Sequence, residues 1–308
     1  MNLDTPFTLA SGKFWSAVAL IGCISAQGVN AAPVDLGINQ TAVIKNLAGQ
    51  SVNIQHVGHN VRTDYKGGQL FSETLNENHL SGMIGIANYL RLSFTGNSGA
   101  SQSTVGEIFM VDVFDELVRT EARITSPGNK ISIDNANGRL LGFSGAEAGT
   151  ITATRISGNL VGGILSIKNL RFNLDSKTIV ADEVGTGAST ETSQGSHYES
   201  LNTAAFTYTD LTGPTNIPVD AFAKGKNTKL ALENAGFRIW SISSTKVTFS
   251  GLYKFSKIRF TQQSKSMIAN SLRLLSTPIN GLNHANEDPA GLGDILVSVM
   301  FSAPIPQQ

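Results

Sequence analysis

Cysteine is nearly absent: Cys23 is the only one in 308 residues. A lone thiol closes no intrachain disulfide and builds no zinc–thiolate cluster, so the fold must hold by burial. Charge is scarce as well. Lys and Arg number 23 against 23 Asp and Glu, and charged residues make up 15% of the chain, where an average soluble domain carries about 25%. A neutral chain offers no field to draw in a phosphate backbone, which argues against nucleic acid as a partner. No Gly-x-Ser-x-Gly elbow, P-loop or dinucleotide fingerprint stands out. After the first 26 residues no apolar run is long enough for a transmembrane span.

What is present begins with a leader-like stretch. Lys13 precedes the apolar run Phe14–Ala26, and Gln-Gly-Val-Asn-Ala-Ala-Pro comes after it. A short apolar core ahead of small residues is the pattern of a secretory signal peptide, with Val29-Asn30-Ala31 supplying the cleavage pattern. The expectation is a signal peptide over 1–32 and an exported protein, whether extracellular, cell-surface or periplasmic. Leu20-Ile21-Gly22-Cys23 also resembles the lipobox of bacterial lipoproteins. Cys23 is then either a lipid anchor or a small apolar residue in a discarded leader. Residues 33–308 form a β-rich domain, as one body or as two packed halves, 33–148 and 149–308.

The stretch Gly163–Ala181 returns 88 positions later as Gly251–Ala269. Gly163, Arg171, Phe172, Ser176, Lys177 and Ala181 recur without a gap as Gly251, Arg259, Phe260, Ser264, Lys265 and Ala269, which reads as an internal duplication. In the first copy Leu165 and Ile167 alternate, then the phase changes to Leu170, Phe172 and Leu174; in the second, Tyr253 and Phe255 give way to Ile258 and Phe260. Alternation at period two marks a strand with one buried face. A phase change that keeps the same face buried needs one extra residue, a β-bulge, here at Lys168-Asn169 and Ser256-Lys257. The polar turns Asp175-Ser176-Lys177 and Gln263-Ser264-Lys265 come next. Thr178–Ala181 reads as a return strand, whereas Ser266–Leu275 also fits a helix, so the copies can diverge there.

Elsewhere the pattern is also β. Val34–Leu47 and Ser51–Val57 suggest an opening hairpin around Ala48-Gly49-Gln50, and Asp64–Leu75 and Ile84–Phe94 read as strands. Ser126-Pro127-Gly128-Asn129 marks a turn, and Asn137-Gly138 is a strong hairpin signal before Arg139–Phe143. Gly149–Ile156, Thr203–Thr209 and Asp294–Phe301 complete the strand set. Thr104–Ala122 is read as a helix, because Thr104 and Glu107 match a capping box and Met110, Val111, Phe114, Leu117 and Val118 recur at helical spacing. The β-formers of Ile108–Phe114 keep a strand open as the alternative. Glu183–Asn202, almost wholly small or polar, is expected to be a flexible exposed loop open to proteolysis. Short strands with frequent turn signals give a mainly β class: an antiparallel, sandwich-like architecture with one or two helices.

The run Gly-x-Leu-x-Ile-x-Asn-Leu-x-Phe-Asn-Leu from Gly163 to Leu174 resembles a segment of exported bacterial β-rich proteins of the PEP-CTERM type. The ending Val299–Pro306 is similar to the approach to their sorting signal, with Gln307-Gln308 in place of its acidic motif. The resemblance implies export and a surface or matrix role, and it implies no activity.

Candidates for chemistry are few. His56 and His59, with His79, Glu73 or Glu77, could assemble a metal site. On a regular strand positions three apart face opposite ways, so that pair meets only in a turn. Asp112, Asp115 and Glu116 would lie within one helical turn, as acid/base work requires, or would simply form a solvated helix face. Arg171 and Arg259 could bind an anion or pair across a sheet. Ser196-His197 lies in the polar stretch, a poor place for a preorganised pair. No catalytic, cofactor-binding or metal residue is therefore assigned. The function expected is that of an exported, non-enzymatic structural or adhesive protein of the cell surface or matrix, self-associating through edge strands. The alternative is a binding module for a glycan or small ligand, using 183–202 with Tyr198 and Tyr208 as exposed aromatics. A hydrolase built on the three carboxylates is a third reading.

Overall fold

Period-two alternation accounts for most of the chain. The computed structural model describes residues 33–66, 92–111, 114–153, 161–189, 195–287, 289 and 291–305. They build two antiparallel sheets. The first runs β1 (Pro33–Gly37), β7 (Lys130–Asp134), β8 (Leu140–Ala146), β10 (Gly163–Asn173), β11 (Thr178–Gly187), β12 (His197–Thr207) and β16 (Arg259–Phe260). Alongside, β9 (Gly149–Ala153) pairs with β10 and with β4 (Leu92–Gly96). The second sheet runs β13 (Asp210–Thr212), β15 (Lys246–Ser256), β17 (Gly293–Pro304), β3 (Ser51–Lys66), β6 (Phe114–Gly128) and β5 (Ser101–Val111). There β2 (Thr41–Lys45) pairs with β3, and β14 (Arg238–Ile242) pairs with β15. The mainly β, sandwich-like class is the one observed.

The inner faces meet in an aromatic core. Phe172 of β10 packs 5.0 Å from Phe255 of β15, which also meets the Tyr208 ring at 4.9 Å, and Phe143 of β8 meets Tyr253 at 4.7 Å. Such ring pairs contribute beyond the area they bury. The leading arms of both sequence copies thus face one interior, with Phe172 and Phe260 each buried.

Several expectations are corrected. Thr104–Ala122 is not a helix: β5 and β6 form an antiparallel ladder from Ser101↔Thr125 to Val111↔Phe114. The β-forming residues on both arms find partners in that ladder, and sheet pairing overrides the local cap and helical spacing. Nor is Glu183–Asn202 a loose loop. Glu183–Gly187 and His197–Asn202 belong to the β11–β12 ladder, and only 190–194 at its tip lie outside the described residues. The stretch is nonetheless largely exposed, with Thr186, Ser189, Gly195, Ser196, His197, Glu199 and Asn202 facing solvent and Glu183, Gly185, Gly187 and Ser200 buried. The chain from Ala31 onward is one compact unit, and each sheet takes strands from both 33–148 and 149–308.

Three α-helices are described: α1 (Thr228–Asn234), α2 (Gln262–Ser271) and α3 (Ser276–Glu287). Helix α2 starts at the Thr261 cap, whose hydroxyl accepts from Ser264 N–H. It covers the inner face of β10, β11 and β12 with Met267 and Ile268 buried. Glycines let it sit close: a Cβ on Gly185 would fall 1.8 Å from Ser271 Oγ, and one on Gly163 1.9 Å from the Ser271 carbonyl oxygen. No described helix is long and apolar enough to cross a membrane.

Candidate functional site

Polar groups gather in three places. The first is the histidine pair, and the structure corrects the expectation that a strand keeps the two apart. In the β3–β17 ladder Met300 pairs with Gly58 and Phe301 with His56, leaving Val57 as an extra residue. This β-bulge reverses the phase of β3: Val52, Ile54 and His56 are buried before it, His59, Val61 and Thr63 after it. Both imidazoles therefore point inward. His56 Nδ1 lies 3.1 Å from the Leu36 carbonyl oxygen, and His59 Nδ1 lies 3.1 Å from His56 Nε2. If His56 donates to Leu36, His59 must donate to His56, and His59 Nε2 is then a bare acceptor, buried without a partner. Burial lowers both pKa values, that of His59 to about 4 with the neighbouring His56 as second cause. The pair lies between sheets, bridging β3 to β1. His79, Glu73 and Glu77 lie outside the described residues, and among the described residues no third ligand joins the pair.

The second place lies under α2. Glu183 of β11 is fully buried, and Ser264 Oγ donates to its Oε1 while Oε2 has no partner. Burial raises its pKa, and the Ser264 hydroxyl offsets that only in part. Beside it Gln263 Nε2 donates to Ser200 Oγ at 2.8 Å, and Ser200 shares a 2.6 Å hydrogen bond with Thr203. A serine hydroxyl on a carboxyl has the parts of a nucleophile and a base. Here both residues are sealed from solvent, so no substrate reaches them, and the network instead fixes where the helix sits on the sheet.

The third place is the outer face of the first sheet. Arg171 Nη2 binds Asp182 Oδ1 at 2.9 Å across β10 and β11, and Asn169 and the Asn202 N–H complete that carboxylate. Partial burial works against the charged form of Asp182, but these hydrogen bonds outweigh it and hold its pKa below the ordinary value. A shallow groove of about 440 Å³ opens beside it, lined by Asp35, Ser132, Arg171, Asn173, Asp175 and Asn202. Arg139 grips Asp175 at its rim at 2.6 Å. Arg171 is thus a cross-strand pair. Arg259 differs: its guanidinium donates to the carbonyls of Asn286 and Lys257 at the corner where the chain changes sheets.

The remaining candidates do not assemble. Asp112 lies outside the described residues, while Asp115 and Glu116 are on the extended backbone of β6, so the helical turn that would gather the carboxylates does not form. His197 pairs with Thr186 at the start of β12, and Ser196 accepts through its carbonyl from Gly187. Tyr208 is not an exposed aromatic but a buried one, donating to the Asn173 carbonyl at 3.0 Å, and Tyr198 packs partly against the core. Sequence reasoning missed Glu183 as a core residue. Its signal was present: Ile179, Ala181, Glu183 and Gly185 keep the inward phase of β11.

No family model, curated protein or solved structure matches the chain.

Proposed function

We propose that this is an exported, non-enzymatic structural or adhesive protein that acts at the cell surface or in an extracellular matrix. The observation that carries the reading is the edge of the second sheet. Strand β5 runs for 11 residues and, among the described residues, pairs in the sheet only with β6. A long edge strand is a template for adding another chain. The leader-like N-terminus and the low charge agree with export, and the acid/base-capable groups of the described core are closed to substrate. The glycan-binding alternative keeps its footing on an aromatic of the opposite edge strand.

Size-exclusion chromatography with light scattering on the chain from residue 33 tests the assembly. A mass that climbs with concentration is expected. Proline at successive positions, Ser103→Pro and Thr104→Pro, then separates the edge from the fold, because alternate N–H groups of a strand point to opposite sides. One variant should lower stability, and the other should keep the fold and abolish the polymer. A monomer at every concentration, in a protein that fractionates with the cytoplasm, would remove the reading.

A further inference from the structure

The outer face of the second sheet at its other edge is built differently from the rest of the surface. The β14–β15 ladder pairs Ile239 with Phe249 and Ser241 with Thr248, so Trp240 is an extra residue bulged outward. Its indole N–H donates to Ser250 Oγ at 2.8 Å, which pins the ring, and the Arg238 guanidinium lies 4.7 Å from the ring centroid. The ring nevertheless remains 54% exposed, and Leu252, one outward position along β15, is 56% exposed. Thr248, Ser241, Ser298 and Asn60 bring hydroxyl and amide groups to the same face.

Charge on this face is not balanced as it is in the whole chain. Among the side chains described at outward positions of β14, β15, β17 and β3, Arg238, Lys246, Lys254 and Arg62 stand against Asp294 and Asp64, four cations less two carboxylates, or +2. Lys254 is paired with Asp294 and Arg62 with Asp64. Arg238 and Lys246 have no carboxylate partner among the described residues. They stand roughly 13 Å apart, four strand positions along β15, with Trp240 between them.

We infer that this face, centred on Trp240, binds an acidic polysaccharide, one whose sugar rings carry carboxylates at intervals. The inference rests on the adhesive reading and names its partner. The C–H face of a pyranose ring lies on the indole, where an aromatic surface is pinned in place before binding. Sugar hydroxyls meet Thr248, Ser241 and Ser298. Carboxylates meet Arg238, whose fork suits a planar carboxylate, and Lys246. Two spaced cations suit a chain of spaced carboxylates better than the dense charge of a nucleic acid duplex.

Isothermal titration of the intact protein with sodium polygalacturonate tests this, with neutral dextran as the second probe. Binding to polygalacturonate that weakens in about 0.5 M salt is expected, together with no binding to dextran. Trp240→Ala should reduce affinity roughly tenfold or more, as the loss of a central aromatic does. Because Trp240 also covers Ser250, Lys246→Gln serves as the variant that leaves the packing alone, while Arg238→Gln also removes the cation over the ring, and each should lower affinity severalfold and flatten the salt dependence. Equal binding of both polymers, or binding that all three variants leave unchanged, would overturn the assignment. A Trp240→Ala protein altered only in its oligomeric mass would also overturn it, by showing the face to be a contact between copies. A chain that polymerises through β5 yet ignores polygalacturonate sinks this inference and leaves the assembly reading standing.

Discussion

Gly163–Ala181 and Gly251–Ala269 begin alike and end differently. Each starts as a strand of alternating burial and each kinks at the aligned residue, Asn169 with φ 51° and Lys257 with φ 54°. Each then places a phenylalanine in the core and a capping side chain at the next position. Asn173 Oδ1 accepts from the N–H groups of Asp175 and Ser176, and Thr261 Oγ1 accepts from Ser264 N–H, the same three-residue offset. There the likeness stops. In the first copy Lys177 enters the left-handed region at φ 53° and the chain reverses into β11. In the second, the aligned Lys265 continues as helix α2. The kinks also lead to different places: β10 stays in the first sheet, whereas the chain after Lys257 leaves β15 and joins the first sheet as β16. Two short plans of the same kind thus yield a hairpin and a corner, and the residues after the cap decide between them. Thr178-Ile179-Val180 is β-branched and stiff, while Ser266-Met267-Ile268-Ala269 tolerates helix.

The comparison breaks most sharply at its two phenylalanines. Phe172→Ala and Phe260→Ala should each cost about 3–5 kcal/mol, read from urea midpoints. Phe172→Ala should cost more, because Phe172 meets Phe255 across the sheets while Phe260 meets Phe206 of the neighbouring strand. The reverse order would show that the corner, not the shared interior, carries the core.

A smaller effect lies where the second copy touches the return strand of the first, at Ser264 and Glu183. Ser264→Ala leaves a buried carboxyl with no hydrogen bond and should cost about 1–3 kcal/mol. The pKa of Glu183 is raised by folding above its ordinary 4.5, so the folded state holds the proton more tightly than the unfolded. Its stabilising contribution is therefore complete below pH 4.5 and declines as pH rises toward the folded value. Glu183→Gln has no such proton to lose, so its melting temperature relative to the parent should rise as pH climbs above 4.5 and level off once pH passes the raised value. Parallel profiles would show that the carboxyl is not held neutral.

Smallest are the caps. Thr261→Ala should cost about 1 kcal/mol, since a full helix hangs on that hydroxyl. Asn173→Ala should cost less in a turn also held by the β10–β11 ladder. Equal losses, measured in the same urea titrations, would mean that the aligned caps are equivalent whether a strand or a helix comes after them.

Much of this fold was legible in the sequence because phase changes in alternation are local. The kinks at Asn169 and Lys257 announced themselves through Leu170/Phe172 and Ile258/Phe260. The bulge at Val57 carried the same signal in Ile54/His56 and His59/Val61, but reading two histidines as polar concealed it, and with it their convergence. The β5–β6 ladder was hidden for another reason. Its residues satisfy helical and strand periodicities at once, and the partner that settles the matter lies outside the local window. Glu183 reads as solvent-facing because a carboxyl rarely lies buried, and what shelters it arrives 81 residues later in the chain.

Strand β17, Gly293–Pro304, sits between β3 and β15, so β3 has no neighbour on that side until β17 is in place. Hairpins can form early from neighbouring stretches, yet this sheet closes only when Gly293–Pro304 meets the distant Ser51–Lys66, and such dependence on distant pairing slows folding.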